Sequence, residues 1–272
     1  MNIRFYEPTH KYFCLEEPDK PFTSVSKLFD LVKQKFDSEN IAKAYSLKGK
    51  KEIIQDLAGK WNLTIDKANE KWGHLEFTPE EIIAIWEEKK NIGLARGTKW
   101  HKDIEQKLLN RGGKRGTQIE GDYTIPISLK DLSPGHYIEL IIPYLPLWLI
   151  GTADRVEILP NKEFKIRDWK TDRELSYKGV AYYNKVSRKK EVKKLLHPLS
   201  HLDDVNGIHY NVKESLYIYF LESYGYKFVE GWIDHVQFDE NNEPIGIVEY
   251  PIEYLKSEIK SLLTWYKNKF KC

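Results

Sequence analysis

The spacing of apolar positions changes near the middle of the chain, and this change predicts two kinds of structure. Across residues 39–110 the apolar side chains recur at helical spacing. One helix start is marked by the letters TPEE at 78–81, which combine an N-cap, a first-position proline and a glutamate three residues after the cap. A shorter helical pattern follows residue 24, and the first residues predict a small hairpin at roughly 3–6 and 10–15.

Beyond a glycine-rich break at 111–113 the pattern becomes mainly that of strands. The order of elements predicts one domain of the α+β class, α/β-like in a loose sense. Residues 1–115 form its mainly helical N-terminal part, and residues 116–272 form its β-sheet core. The elements expected in this core are strands at 137–142, 148–158 and 163–170, a helix at 206–223, strands at 226–237 and 245–250, and a final helix from 252.

Two acids occupy core-facing positions in a pair of these strands. Asp154 in the first strand, and Asp168 and Lys170 in the second, alternate in phase with apolar residues. The apolar residues on these two faces are Ile150, Val156, Ile158, Phe164 and Ile166. The charged residues at the intervening positions of each strand are expected to face solvent. A turn through 159–162 that pairs Ile158 with Phe164 sets Asp154 opposite Asp168, with Cβ atoms roughly 4.5–5.5 Å apart.

Two carboxylates this close beside a core repel each other and lose hydration, so they persist only with a shared proton, a cation or both. Lys170 supplies one positive charge, and a divalent metal would supply more. The alternative is an acid pair at the strand ends that Lys170 neutralises in water. The spacing Asp/Glu-x-Lys carries no weight alone, because it recurs at Glu87, Glu88, Glu105, Glu163, Glu191 and Glu258.

Five segments in a fixed order carry a family resemblance. The letters GTAD at 151–154, followed after a turn by DWKT at 168–171, resemble the paired active-site motifs of PD-(D/E)XK nucleases of the RecB-like branch. The letters GTKWHKDIE at 97–105 resemble that branch's upstream Gly/His/Glu helix motif. The letters HPLSHLDDVN at 197–206, followed by His209 and Tyr210, resemble the approach to the branch's last motif. The letters NVKESLYIYFLE at 211–222 resemble that motif itself, the Gln-x-x-x-Tyr helix. The letters FTSVS at 22–26 fit the phage-encoded members of the group.

The resemblance implies a restriction-endonuclease-like core, with a central mixed β-sheet flanked by helices. It implies a metal-dependent DNA nuclease that acts in phage or bacterial DNA replication, recombination or repair. Of the nuclease types, it favours an exonuclease. The expected metal ligands are Asp154, Asp168, His101 and the backbone carbonyl of Trp169. Lys170 would orient or deprotonate the attacking water, or stabilise the developing charge. Hard oxygen ligands favour Mg²⁺ or Mn²⁺ over zinc.

Four further residues are candidates for supporting roles. Glu105, one helical turn from His101, either supports the ligands without touching the metal or forms a salt bridge. Glu139 is a third candidate acid or an exposed strand residue. Lys213 stands where the family has its usual Gln, and either contacts phosphate or faces solvent. Tyr217 is the tyrosine of the same helix motif. Without the resemblance, His101 on an apolar helix stripe is more simply a core histidine.

Composition restricts the partners. With 43 basic and 41 acidic side chains the net charge is only +2, so a DNA-binding surface must be local. Residues 185–194 hold six basic side chains, and among them Arg188, Lys189 and Lys190 contact DNA phosphates or belong to a solvated loop. DNA is the expected partner, with replication or recombination proteins as further candidates.

Cysteine usage and missing motifs exclude several cofactors. The two cysteines, Cys14 and Cys272, rule out a zinc ribbon or a cysteine-held iron–sulfur cluster within the chain. Neither a Gly-x-Gly-x-x-Gly nor a Gly-Lys-Ser/Thr loop is present, so no nucleotide cofactor is expected. No run of about 18 apolar residues and no signal-peptide pattern occurs. We therefore expect no membrane association and a cytoplasmic location, which is the host cytoplasm if the protein is phage-encoded.

Two other functions compete with the nuclease. A non-catalytic relative that binds nucleic acid with the same fold is the alternative, against which the intact Asp/Asp/Lys set argues. A glycoside hydrolase that uses paired carboxylates has no other support in the sequence. Strand polarity, endonuclease against exonuclease action, single- against double-strand preference, the number of metal ions and oligomeric state stay open.

Overall fold

The computed structural model describes residues 2–6, 9, 11–184, 188–239 and 243–270, which form a mixed α+β fold. A central mixed sheet is flanked by helices, as the sequence predicts. Within the described residues there are seven α-helices: α1 Val25–Asp30, α2 Ser38–Ser46, α3 Lys50–Trp61, α4 Ile65–Trp72, α5 Pro79–Asn110, α6 Asn206–Ser223 and α7 Lys256–Phe270.

Within the part of the chain that the structure describes, the strands fall into three sheets. The strands in chain order are β1 Ile3–Tyr6, β2 Lys11–Cys14, β3 Thr23–Ser24, β4 Lys114–Arg115, β5 Thr117–Glu120, β6 Tyr123–Pro126, β7 Gly135–Tyr144, β8 Leu149–Ile158, β9 Glu163–Lys170, β10 Tyr182–Asn184, β11 Lys189–Glu191, β12 Lys227–Phe238 and β13 Pro244–Pro251. The central sheet has seven strands in the order β13-β12-β9-β8-β7-β4, with β3 also paired to β8. A four-stranded sheet has the order β2-β1-β6-β5, and β10 pairs with β11.

The central sheet is mixed because hairpins and crossovers both contribute to it. The β7–β8, β8–β9 and β12–β13 pairs are antiparallel. The β9–β12 pair is parallel and its connection contains α6, as a parallel pair requires a long crossover. Helices α1, α6 and α7 contribute Leu28, Leu216 and Leu262 to the main core, together with Val156 and Ile166 of the sheet.

The helices α2 to α5 enclose a second core. Their buried residues form a cluster of their own, which includes Tyr45, Leu57, Trp72 and Phe77. The predicted start of α5 is confirmed, since Thr78 and Glu81 form a reciprocal capping box ahead of Pro79. This helix has 32 residues, about 48 Å at 1.5 Å per residue, and its only buried residues are Ile82 and Ile85. Its C-terminal half therefore runs past the sheet with an accessible surface.

The first 24 residues do not belong to the helical part. β1 and β2 pair with each other as predicted, and β1 also pairs with β6, while β3 joins β8. The division at residue 115 stays a prediction, but strand pairing crosses it. The sequence pattern missed the short strands β3, β4, β5, β6, β10 and β11, and it placed the start of the last helix four residues before Lys256.

Strict alternation along β8 fails, and the prediction that Ile150 shares a face with Val156 is wrong. Leu149 and Ala153 belong to the main core together with Val156, whereas Ile150 belongs to a separate cluster with Ile141 and residues of the first hairpin. The alternation therefore changes phase between Ala153 and Val156. The charged residues at the alternate positions of these strands are also not all free in solvent. Arg167, for example, forms salt bridges with Asp234 and Glu249.

Candidate metal centre

The β8–β9 ladder ends one residue before the two acids. The predicted register is confirmed from Ile158–Phe164 through Arg155–Arg167, the last pair of the ladder. Farther along β8, Leu149 and Ile150 pair with β3 instead. Asp154 and Asp168 are therefore the first residues beyond the point where the two strands diverge. The predicted Asp154–Asp168 pair is therefore not part of the ladder, although Asp154 lies near enough to raise the pKa of Asp168.

The diverging backbone is used to hold Asp154. The N–H of Trp169 donates a hydrogen bond of 3.1 Å to Asp154 Oδ2. Because this N–H lies beyond the β8–β9 ladder, it is available for a side chain. One main-chain donor thus fixes the orientation of the Asp154 carboxylate.

Glu139 faces Asp154 from β7. The register pairs Ile138 with Arg155 and Leu140 with Ala153, which brackets Glu139 and Asp154. Glu139 has a φ of 53°, in the left-handed region that costs a non-glycine residue roughly 1–3 kcal/mol. The paired strand on both sides holds it there. Burial, with the neighbouring Asp154 and Glu105 carboxylates, raises the pKa of Glu139 to about 8.

His101 reaches the acids from α5. This helix passes close to the end of β9, where a Cβ on Gly97 would lie 3.0 Å from Thr171 Oγ1. The Nδ1 atom of His101 lies 3.4 Å from Asp154 Oδ2, and its Nε2 atom lies 3.1 Å from the carbonyl oxygen of Trp169. Burial and the Lys170 ammonium lower the pKa of His101, which favours the neutral imidazole that can bind a metal.

Three side chains therefore converge on one point. His101, Glu139 and Asp154 each offer a ligand atom, and these atoms all lie within 4.8 Å of one another. We call them the triad. It includes two of the sequence candidates for metal contact, His101 and Asp154, and it brings in Glu139 as the third. Asp168 is not in this group.

Asp168 and Lys170 form an ion pair at the edge of the triad. The Lys170 Nζ contacts Asp168 Oδ2, and it also donates a 3.2 Å hydrogen bond to the carbonyl of Trp169. Burial raises the pKa of Asp168 to about 7, an effect that Lys170 opposes and Asp154 increases. Burial disfavours the charged form of Lys170, but the carboxylates of Asp168 and Asp154 raise its pKa above the usual range.

Helix α6 adds an acid that sequence reasoning missed. Glu214 is 2% exposed, and burial together with Asp168 raises its pKa well above the usual range, against the influence of Lys170. Within the described part of the chain its Oε2 has no hydrogen-bond partner. The signal was present in the sequence, because Glu214 stands between Val212 and Leu216 on a helix that is otherwise largely apolar.

The two predicted residues of α6 have different surroundings. The Lys213 ammonium lies 5.9 Å from the centre of the Phe29 ring, and burial with the nearby Lys170 lowers its pKa. Tyr217 is buried under β8, where a Cβ on Gly151 would come within 2.4 Å of its ring. Tyr217 therefore sets the distance between α6 and the strand that carries Asp154.

Glu105 and the basic run lie outside the triad. Arg115 Nη1 is 2.6 Å from Glu105 Oε1, which agrees with the salt-bridge alternative. In the basic run, Lys185 lies outside the described residues, and Arg188, Lys189 and Lys190 are exposed. Lys193 and Lys194 are already paired with acids, at 2.7 Å to Asp204 and 2.6 Å to Asp203.

Comparisons with known proteins assign no family to the chain. No family model matches the chain, and no curated protein matches it. A solved structure titled "Crystal structure of SSO0001" aligns with 88% of this chain and 87% of its own, at 13% identity and a TM-score of 0.31. This likeness is too weak to carry an argument. Among the described residues, no helix combines the length and apolar composition needed to cross a membrane.

Proposed function

We propose that this chain is a metal-dependent DNA nuclease of the RecB-like branch of PD-(D/E)XK proteins, with a restriction-endonuclease-like core. The observation that carries the proposal is the convergence of His101, Glu139 and Asp154 beside the buried Asp168–Lys170 pair. The motif resemblance supplies the reaction, which is phosphodiester hydrolysis in phage or bacterial DNA replication, recombination or repair. It also favours exonuclease action, and we place this in the cytoplasm, which is the host cytoplasm if the protein is phage-encoded.

The residues fit Mg²⁺ or Mn²⁺. The triad offers one imidazole nitrogen and two carboxylates, a mainly oxygen donor set that suits these hard cations. Asp168 and the Trp169 carbonyl border the triad and are candidates to complete the set. Four carboxyl groups surround one lysine ammonium, so a divalent cation would also relieve the excess of negative charge. When bound, the ion would activate water and neutralise charge on the scissile phosphate.

The chain's own residues would position the reactants. The Trp169 N–H fixes the carboxylate of Asp154, and the packed α5 helix brings His101 to it. The Lys170 ammonium, anchored by Asp168 and the Trp169 carbonyl, is a hydrogen-bond donor at the edge of the triad. We assign it to orienting the attacking water or to stabilising the charge that develops on the phosphate.

Cleavage of an end-labelled oligonucleotide tests the proposal. The wild-type chain should cleave with Mg²⁺ or Mn²⁺ and lose activity in EDTA. Asp154→Asn should remove activity, whereas the exposed Asp131→Asn serves as the matched control and should behave like the wild type. Binding without metal-dependent cleavage of any DNA substrate would favour the non-catalytic alternative and refute the nuclease.

A further inference from the structure

A long groove connects the helical part of the chain to the triad. It has a volume of about 1810 Å³ and is lined at one end by Phe36 and Trp86, and at the other by His101, Glu139 and Asp154. Helix α5 runs along it. The 15 residues from Trp86 to His101 correspond to about 22 Å of helix at 1.5 Å per residue. Any chain-like ligand bound along this groove would have one part at the triad.

Charge is distributed unevenly within the groove. Its basic lining residues are Lys60, Lys89, Lys90, Arg96, Lys102 and Arg173. Lys89 Nζ donates a 2.6 Å hydrogen bond to the carbonyl of Lys60, and Arg173 donates to the carbonyl of the adjacent Gly59, so these cations are held close together. Lys60 is already paired with Asp56 at 3.0 Å, whereas burial and the nearby Arg173 lower the pKa of Lys89. Bound anions would relieve this repulsion. The triad end carries the carboxylates of Glu105, Glu139 and Asp154, and Asp172 and Asp239 also line the groove, against six basic side chains. A polyanion is therefore attracted along the groove, while the triad end requires a metal before a phosphate can approach it.

The far end of the groove offers aromatic faces. Phe36, in the loop before α2, is 65% exposed, and its ring centre lies 5.9 Å from that of Trp86. Leu94 in the middle of the groove is 59% exposed. Exposed aromatic and apolar groups beside lysines are the components with which proteins stack the bases of a single strand while its phosphates are neutralised. In a duplex the base faces are already stacked on one another, so these side chains would gain little.

We propose that this groove binds the DNA substrate as a single strand, with bases on Phe36 and Trp86 and phosphates on Lys90 and Lys102. This proposal deepens the proposed nuclease function. It rests on that function in one respect, namely that the bound strand leads to the triad, where it would be cleaved. About 22 Å corresponds to roughly six nucleotides at ~3.4 Å each for a stacked strand. The binding affinity for oligothymidylates should therefore rise with length up to about this size and then level off.

Fluorescence anisotropy with a labelled 12-residue oligothymidylate, with Ca²⁺ in place of Mg²⁺, tests the groove. Phe36→Ala should weaken binding at least about fivefold, since stacking of one base contributes ~1–3 kcal/mol. Lys90→Gln combined with Lys102→Gln should flatten the salt dependence by about 1.4, which is ~0.7 per phosphate contact on a single strand. The exposed Phe270→Ala and Lys51→Gln, both outside the groove, are the matched controls and should stay within twofold of the wild type.

Two results would overturn the groove. One is unchanged affinity and salt dependence in the groove variants, and the other is tighter binding of a blunt duplex of equal length. Cleavage is measured separately, so the two proposals fail in different ways. If Phe36→Ala shows metal-dependent cleavage with an unchanged KM, the nuclease proposal stands and the proposed single-strand binding in the groove is refuted. The expected binding losses without any cleavage by the wild type would refute the nuclease and keep the groove as a single-strand site.

Discussion

The main-chain N–H of Trp169 donates to Asp154 Oδ2 at 3.1 Å, and this contact joins the two diverging strands. The same residue's carbonyl accepts from Lys170 Nζ at 3.2 Å and lies 3.1 Å from His101 Nε2. One peptide segment of β9 therefore orients a carboxylate, a lysine and an imidazole. The geometry of the triad depends on where β9 leaves β8.

The first prediction concerns Asp154 and Asp168. Asp154→Asn should lower cleavage by about 100-fold or more, while the fold stays intact, because an amide oxygen can still accept from Trp169. Asp168→Asn should also lose activity, but it should be less stable than Asp154→Asn, since it removes the carboxylate that contacts buried Lys170. Initial rates and urea unfolding of both variants measure this. Wild-type rates in either variant would remove that residue from the mechanism.

Glu139 should make the stability of the metal-free protein depend on pH. Its pKa is about 8 in the folded protein, above the usual value of 4.5, so folding is less favourable when this carboxyl is ionised. The free energy of unfolding therefore falls as pH rises between these two values. Glu139→Gln lacks this charge. The variant should match the wild type near pH 5 and exceed it in unfolding free energy at pH 8, by denaturant titration in EDTA.

The control for this change is the exposed Glu253→Gln, which should give equal stability differences at both pH values. If Glu139→Gln likewise shows the same difference from the wild type at pH 5 and pH 8, the raised pKa is wrong. Loss of Mn²⁺ affinity in the same variant would independently support Glu139 as a ligand.

His101 should be needed for metal affinity. His101→Ala should weaken Mn²⁺ binding at least about tenfold in a calorimetric titration, because it removes one of three converging ligand atoms. His136→Ala, at a side chain that is 42% exposed and contacts Glu157, is the matched control. In a crystal soaked with Mn²⁺, anomalous density far from the His101 ring would contradict the assignment.

The exposed basic run should act on affinity and leave chemistry unchanged. Replacing Arg188, Lys189 and Lys190 by Ser should weaken DNA binding for all sequences and flatten the salt dependence by about 2 at most. The rate at saturating DNA should barely change, since these residues lie outside the groove that leads to the triad. The control replaces Lys260, Lys267 and Lys269 of α7 by Ser. If affinity and salt dependence keep wild-type values, the run is a solvated loop.

The packing of Gly151 of β8 against Tyr217 of α6 should leave no room for an added methyl group. Gly151→Ala places a Cβ 2.4 Å from the Tyr217 ring and should destabilise the chain by about 1–3 kcal/mol or more. In contrast, Gly59→Ala in α3, where nothing lies within 4 Å, should be neutral or stabilising by up to about 1 kcal/mol. Thermal and denaturant unfolding compare the two. A neutral Gly151→Ala would mean that α6 lies farther from β8.

The sequence by itself determined the longer elements and one hairpin of the central sheet. The capping box at Thr78, the helix Asn206–Ser223 and the strand Glu163–Lys170 follow from short-range spacing, and the structure has them at the predicted positions. The turn after Ile158 fixes the register, because two adjacent strands in an antiparallel hairpin leave few ways to pair. That is why the nearness of Asp154 and Asp168 was predictable.

Only the tertiary structure decided which side chains form the triad. Glu139 enters it because its backbone takes a φ of 53° across from Asp154. Glu214 is not in the triad, but it is buried beside the Asp168–Lys170 pair because α6 packs over the sheet. His101 arrives on a helix that ends 25 residues before β7 begins, and its distance from Asp154 depends on how α5 crosses β9. These placements arise from contacts between distant parts of the chain, which local periodicity does not encode, whereas strand period and hairpin register arise from neighbours in sequence.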